Sequence, residues 1–133
     1  MRDSGGRLPK HQADPTKKYQ IITEFLDSNN KIPEVRKWYK YGKLHRDSGA
    51  PTRCEFNSHG EAVRVSWHDN GILHRLNGPA LIYNYRSGKD ISEIWYLCGV
   101  DLSTHEVEAW LLDNEMTAPY SIEDCMAIKL MWT

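Results

Sequence analysis

Two His-Arg pairs, His45-Arg46 and His74-Arg75, are the residues of this sequence best suited by type to bind a ligand. An imidazole beside a guanidinium could hold a phosphate or a carboxylate, because the guanidinium donates charge-assisted hydrogen bonds and the imidazole donates or accepts. The same two residues could instead fasten a turn, with the imidazole on backbone groups and the arginine on carbonyl oxygens. Every intact copy of the surrounding motif contains the pair, and a scaffold needs the same joint in each copy, so we favour the structural interpretation.

The three cysteines indicate little further chemistry. Cys54, Cys98 and Cys125 are odd in number and far apart, so we expect no disulfide framework and a reducing compartment. The sequence has no CxxC or HExxH motif, which predicts no bound metal, and it has no glycine-rich phosphate loop. Cys98 could act as a nucleophile only beside a histidine, and a partly buried structural cysteine is the simpler interpretation. We therefore expect no cofactor and no catalytic residue.

The His-Arg pairs belong to a repeated sequence. Residues 38–49 and 67–78 both read W-x-x-x-G-x-L-H-R-x-x-G, and a third copy begins at Trp95 and keeps Gly99 but lacks His-Arg. The tryptophans are separated by 29 and 28 residues, a period that indicates one supersecondary unit used several times. The residues expected to shape these units are Trp38, Gly42, His45, Arg46, Trp67, Gly71, His74, Arg75, Gly78, Pro79, Trp95 and Gly99.

Turn signals predict that each unit consists of β-hairpins. Asn70-Gly71 is typical of a type I′ turn, which needs positive φ at both central residues. Tyr41-Gly42 and Cys98-Gly99 occupy the equivalent places in the other copies. Apolar residues alternate on either side of the turns, so one face of the resulting sheet should be buried.

The two ends of the chain are predicted to be helical. Asp14-Pro15 is a helix-start signal, and apolar residues at three- and four-residue spacing favour a helix over 16–28, although adjacent β-branched residues leave a strand open. Ser103-Thr104-His105-Glu106 and Ser121-Ile122-Glu123-Asp124 are interpreted as capping boxes that begin two C-terminal helices.

The expected fold is one α+β domain, a repeat-built antiparallel β-meander of stacked hairpins with one N-terminal helix and two C-terminal helices. A flexible segment at 1–15 is followed by a helix and connection at 16–33, the β-repeat region at 34–102 and a helical cap at 103–133. The cap would cover the open edge of the last hairpin. No apolar run approaches the ~20 residues of a membrane helix, and the polar start of the chain does not resemble a signal peptide.

The motif W-Y-x-x-G-x-L-H-R-x-x-G-P-A over about residues 36–112 resembles the MORN-like repeats found in proteins of bacteriophages and giant viruses. This chain departs from the motif at Gly49-Ala50-Pro51 and at Leu102-Ser103, which stands where the third copy would have His-Arg. The resemblance implies a viral module of stacked hairpins that works in the host cytoplasm as a scaffold or binder. It implies no reaction.

Charge is distributed unevenly along the chain. Residues 34–100 contain ten basic and seven acidic groups, whereas residues 101–133 contain seven acidic groups and one lysine. The two segments should therefore carry opposite potentials.

The preferred function is a non-catalytic binding module that engages a host or phage protein, with inhibition of a host defence protein as its specific form. Two alternatives stay open: binding of a nucleotide or nucleic acid through a basic and aromatic strand face, and a small enzyme of unknown class. The candidate binding residues combine tyrosine anchors with basic donors. They are Lys40, Tyr41, Arg64, Tyr83, Tyr85 and Arg86.

Overall fold

An antiparallel sheet runs through most of the described chain. The computed structural model describes residues 12–25, 33–84 and 89–133. The strands and helices in these ranges are, in chain order, β1 (Tyr19–Phe25), β2 (Pro33–Lys40), β3 (Lys43–Leu44), β4 (Arg53–Phe56), β5 (Ala62–Ser66), β6 (His68–Asp69), β7 (Ile72–Leu73), β8 (Leu81–Tyr83), β9 (Ser92–Ile94), β10 (Tyr96–Leu97), β11 (Val100–Asp101), α1 (His105–Asp113) and α2 (Ile122–Trp132). The main sheet has the order β1-β2-β4-β5-β8-β9 with β3 paired to β2, while β6-β7 and β10-β11 form two small hairpins. The expected α+β class with an antiparallel meander agrees with this architecture.

Side chains of the main sheet alternate between two faces. Glu55 pairs with Arg64, and Arg64 pairs with Tyr83, so these three residues share one face, here named the Tyr83 face. Val65 and Ile82 pair on the opposite face, where Val65 is only 1% exposed. One hydrophobic core lies on that opposite face and includes Val65 and Ile82.

The three predicted hairpin turns are confirmed by their backbone angles. Asn70 and Gly71 have φ of 50° and 90°, as both central residues of a type I′ turn require. The turns at Tyr41-Gly42 and Cys98-Gly99 have the same pair of positive φ angles. Gly42 is also fixed by a close approach, because a Cβ there would lie 2.9 Å from Cα of Pro15.

The predicted N-terminal helix is wrong within the described residues. Residues 19–25 form β1, which pairs with β2 from Tyr19↔Lys40 to Phe25↔Pro33, and residues 26–28 lie outside the described ranges. The apolar residues at helical spacing do not share one buried face, because Tyr19 is 58% exposed whereas Ile22 is buried. The β-branched residues favoured a strand, and pairing along all of β1 supplied the backbone hydrogen bonds.

Both C-terminal helices are present, but one predicted cap is absent. The Ser121 hydroxyl accepts from Asp124 N–H at 3.0 Å, and the Asp124 carboxylate accepts from Ser121 N–H at 3.0 Å, so the second capping box is confirmed. The first capping box is wrong, since Ser103 donates from its N–H and its hydroxyl to Asp101 and α1 begins after Thr104 without a side-chain cap. Among the described residues, no helix is long and apolar enough to span a membrane.

The helices pack on the small hairpin β10-β11 and form a second core. Leu97 and Val100 of β10-β11 pack with Val107 and Leu111 of α1 and with Ile128 of α2. Leu97 and Ile128 have no exposed surface. The helices therefore cover the β10-β11 hairpin.

A disulfide joins Cys98 in the β10-β11 turn to Cys125 in α2, so the expectation of no disulfide is wrong for this pair. The two cysteines are 27 residues apart in sequence and become neighbours only because α2 packs against the third hairpin. Cys54 is the free cysteine. A count of cysteines could not show which two the fold brings together.

Loss of this disulfide should lower the free energy of unfolding by about 3–4 kcal/mol, because a cross-link over 27 residues restricts the unfolded chain. Guanidinium unfolding of the parent and of Cys125→Ala, with and without reductant, measures this loss. Cys54→Ala is the matched control and should keep its response to reductant. Three free thiols in the unreduced parent would contradict the assignment.

Candidate functional site

The histidine of each His-Arg pair accepts a hydrogen bond from the turn of the next copy. Nδ1 of His74 accepts from Cys98 N–H at 2.8 Å, and Nδ1 of His45 accepts from Asn70 N–H at 3.3 Å. Burial lowers the pKa of His74, which favours the neutral imidazole that can accept this bond, while Asp69 acts in the opposite direction.

A second hydrogen bond joins the same elements. Gly71 N–H donates to Leu44 O at 2.8 Å, and Gly99 N–H donates to Leu73 O at 2.9 Å. Each small hairpin is thus fastened to the preceding copy through both central residues of its turn.

The arginine of each pair lies flat on the tryptophan of its own copy. The Arg75 guanidinium is 3.8 Å from the ring centroid of Trp67, and its Nη1 donates to Pro79 O at 3.1 Å. Gly78 packs closely against this guanidinium, since a Cβ there would lie 2.9 Å from Nη1 of Arg75. Stacking on an indole ring and bonding to a carbonyl oxygen are both favourable for a guanidinium.

The first copy has the same arrangement. The Arg46 guanidinium is 4.0 Å from the Trp38 ring centroid, and its Nη1 donates to Pro51 O at 3.0 Å. The guanidinium groups of Arg46 and Arg75, which could have bound an anion, therefore make contacts within the protein. These contacts favour the structural interpretation of the His-Arg pairs.

Arg64 and Tyr83 are the candidate binding residues that the fold brings together. The Arg64 guanidinium lies 4.9 Å from the Tyr83 ring centroid on the Tyr83 face, and Nη1 donates to Glu55 at 2.8 Å. Arg53 donates to the same carboxylate. The two arginines hold the pKa of Glu55 below its usual value, against the opposing effect of burial, which is the largest single influence.

The other candidate binding residues do not join this pair. Lys40 lies on the opposite face of β2, where it forms an ion pair with Asp47 at 3.3 Å. Tyr41 is at the β2-β3 turn and is 55% exposed. Tyr85 and Arg86 lie outside the described residues.

A polar groove of about 540 Å³ lies between the first two copies. Its lining includes His45, His68 and His74 together with Asp47. The buried Thr52 hydroxyl donates to a backbone oxygen of β5 at 3.1 Å and therefore accepts from Nδ1–H of His68 at 2.7 Å. Burial, with a smaller contribution from a nearby arginine, lowers the pKa of His68 from 6.5 to about 4, so its imidazole is neutral at pH 7.

A larger cavity of about 620 Å³ lies beside the third copy. Trp95 and Tyr120 line it, with ring centroids 5.9 Å apart in an edge-to-face arrangement. Glu93 and Glu108 also line it. Sequence reasoning did not identify this cavity. The only feature of the sequence that pointed to it is the third copy of the motif, which keeps the tryptophan and lacks the arginine.

His74, Cys98 and Cys125 form the one group of possible metal ligands in the described part of the chain, with ligand atoms within 4.8 Å of one another. The sulfurs are joined in the disulfide and are not thiolates, and Nδ1 of His74 already accepts a backbone hydrogen bond. Metal ligation by this group would require reduction of the disulfide.

No family model, curated protein or solved structure matches this chain. The similarity to MORN-like repeats therefore stays an expectation drawn from the sequence motif.

Trp67→Ala should lower the free energy of unfolding by about 3–5 kcal/mol, because it empties a buried site and removes the surface on which Arg75 stacks. It also removes the hydrogen bond from Nε1 to Gly49 O at 3.0 Å. Tyr83→Ala should cost less, since Tyr83 is 37% exposed. Denaturant melts of both variants test this order, and equal midpoints would refute it.

The stability of the protein should fall as pH decreases from about 6.5 to about 4. In this interval the unfolded chain binds a proton at His68 and the folded chain does not, so acid favours the unfolded state. His68→Gln should reduce this slope in urea melts at several pH values.

His59→Gln is the matched control for that titration, because His59 is exposed in the β4-β5 turn. It should keep the parental slope. A parental slope in His68→Gln would contradict the assignment. The lowered pKa of Asp47, about 2, affects stability only at lower pH.

Proposed function

We propose that this chain is a non-catalytic protein-binding module. The observation that carries the proposal is a row of large apolar side chains exposed on α2. Ile122, Met126 and Leu130 follow one another at four-residue spacing, which places them on one side of the helix, and they are 66%, 60% and 85% exposed. Exposed apolar surface of this kind is typical of a site that contacts another protein.

The charge of the cap indicates what such a partner should offer. Residues 101–133 contain seven acidic groups and one lysine. A partner surface with apolar side chains and basic groups would complement this segment. The Tyr83 face is a second candidate surface, with Tyr83 as the aromatic anchor and Arg64 as the donor.

The two alternative functions have less support. Glu55 accepts hydrogen bonds from Arg53 and Arg64, which offsets the positive charge that a nucleotide or nucleic acid would need on the Tyr83 face. For an enzyme, the His-Arg pairs would have to reach a substrate, yet these residues bond to turns and carbonyl oxygens of the chain.

The repeat architecture is part of the proposal. The same hydrogen bonds recur at equivalent positions: His45 N–H to Trp38 O and His74 N–H to Trp67 O, both at 3.1 Å. The turn contacts described above recur in the same way. This recurrence supports a repeat-built meander of stacked hairpins of the MORN-like kind.

The motif resemblance alone supports a viral origin and a host or phage protein as the partner. The specific form of the function would be inhibition of a host defence protein. The cytoplasmic location needs a different basis. It was expected both from the cysteines and from the viral resemblance, and the Cys98–Cys125 bond removes the first of these reasons, because a disulfide is more typical of an oxidising compartment.

Affinity capture with two surface variants tests the binding function. Met126→Glu with Leu130→Glu alters the apolar row on α2, and Arg64→Glu with Tyr83→Ala alters the Tyr83 face. We expect the parent to capture a defined protein and the α2 variant to lose it, because acidic groups would replace the apolar contact.

Ile21→Glu is the matched control, since Ile21 is 60% exposed on the edge strand β1 and lies on the face of the main sheet opposite to Tyr83. It should capture the partner as the parent does. Loss only in the Tyr83-face variant would move the interface to the sheet. A folded parent that captures nothing from candidate host cells would contradict the binding function.

A further inference from the structure

The third copy lacks the arginine that covers the tryptophan in the other two. The eighth residue after each repeat tryptophan is Arg46, Arg75 or Ser103. In the first two copies its guanidinium lies 4.0 and 3.8 Å from the ring centroid of that tryptophan. The short side chain of Ser103 instead bonds to Asp101 at 2.6 Å.

The backbone of the third copy follows the same path to this point. Leu102 N–H donates to Trp95 O at 2.9 Å, and His74 N–H donates to Trp67 O at 3.1 Å in the same way. Ser103 therefore occupies the arginine position of its copy. Trp95, Leu102 and Ser103 all line the cavity of about 620 Å³, so the cavity borders both the tryptophan and the residue at the arginine position of this copy.

We propose that this cavity, here named the Trp95 cavity, binds an arginine side chain of a protein partner. The inference rests on the proposed binding function and names the chemistry of the partner. The chain itself indicates the occupant, because two of its three repeat tryptophans, Trp38 and Trp67, already have an arginine stacked on the ring.

The lining of the Trp95 cavity suits a guanidinium. Trp95 and Tyr120 supply aromatic rings, and a planar, weakly hydrated cation is attracted to such rings. Glu93 and Glu108 supply carboxylates, which accept bidentate hydrogen bonds from a guanidinium. Among the described residues, no arginine or lysine lines the cavity to satisfy these carboxylates.

Apolar side chains complete the lining and fit the rest of an arginine. Leu111, Met116 and Ala118 offer contact to its three methylene groups. Leu112 also lines the cavity and is 80% exposed, so an apolar residue beside the arginine of the partner would have a contact of its own. A lysine would fit less well, because its ammonium is strongly hydrated and cannot stack as a plane.

Peptide titration tests the chemistry directly. The probes are acetyl-Gly-Arg-Gly-amide, the same peptide with citrulline, which keeps the shape and removes the charge, and the same peptide with lysine. The readout is the indole N–H signal of Trp95 in ¹H–¹⁵N NMR spectra, assigned with Trp95→Phe. We expect the arginine peptide to shift this signal to saturation and the citrulline peptide to bind about tenfold more weakly.

A Ser103→Arg variant tests the location. The new arginine should lie on Trp95 as Arg75 lies on Trp67, shift the Trp95 signal without peptide, and weaken binding of the arginine peptide at least tenfold. Ser103→Ala is the matched control, since it also loses the hydroxyl bond to Asp101 but leaves the cavity open. It should bind the peptide as the parent does.

Three peptide results would overturn the inference. They are no shift of the Trp95 signal with the arginine peptide, equal affinity for the arginine and citrulline peptides, and unchanged affinity in a folded Ser103→Arg variant. Melting curves of both Ser103 variants establish that they are folded.

Partner capture separates this inference from the proposed function. Loss of the partner with Ser103→Arg and retention with Ser103→Ala support the inference. Capture by Ser103→Arg at the parental level overturns it and leaves the binding function intact. If light scattering shows that the parent is a dimer and that Ser103→Arg is a monomer, the arginine that enters the cavity belongs to a second copy of this chain and the inference of a different partner protein is overturned.

Discussion

The structure depends on how the tight hairpin turns satisfy their backbone. A type I′ turn directs peptide N–H groups outward, and a partly buried N–H without an acceptor costs free energy. Here the preceding copy provides both acceptors, a carbonyl oxygen for the glycine and an imidazole nitrogen for the residue before it. Gly99 and Cys98 use Leu73 O and His74 in this way. The histidine is thus needed wherever another turn follows.

The same constraint explains why the third copy differs. In the described part of the chain α1, and not another hairpin, follows β11, and Leu102 stands in place of the histidine and belongs to the apolar core under the helices. α1 and α2 cover the end of the array, and the disulfide fastens α2 to the last turn. The end of a stack must bury what another copy would have buried, and a terminal cap of different sequence meets this need.

The contacts of the His-Arg pairs also limit which residues are available for recognition. His45 and Arg46 are residue types that could bind a ligand, but both make contacts within the chain. His45 accepts a hydrogen bond from the turn of the next copy, and Arg46 stacks on the tryptophan of its own copy. The features left for recognition lie where the pattern stops or where strands face solvent. These are the Trp95 cavity, the apolar row on α2 and the Tyr83 face. Binding by this chain would accordingly use departures from the motif more than the motif itself.

Some features followed from the sequence because they depend on neighbouring residues. Asn70-Gly71 predicts its turn from the positive φ that these residues tolerate, and Ser121 with Asp124 predicts a helix start from groups three positions apart. Prediction from neighbouring residues failed where the same residues could form either a helix or a strand. The spacing in 16–28 fits a helix, but pairing with β2 made residues 19–25 a strand.

The sequence by itself determined the turns, the antiparallel hairpins they connect and the start of the second C-terminal helix at Ser121, because these depend on contacts over a few residues. Only the tertiary structure decided the Cys98–Cys125 bond and the Trp95 cavity. The cavity combines Trp95 of the last hairpin, Glu108 of α1 and Tyr120 of the segment before α2. The distances among such residues depend on how helices pack on a hairpin, and no spacing along the chain encodes that packing.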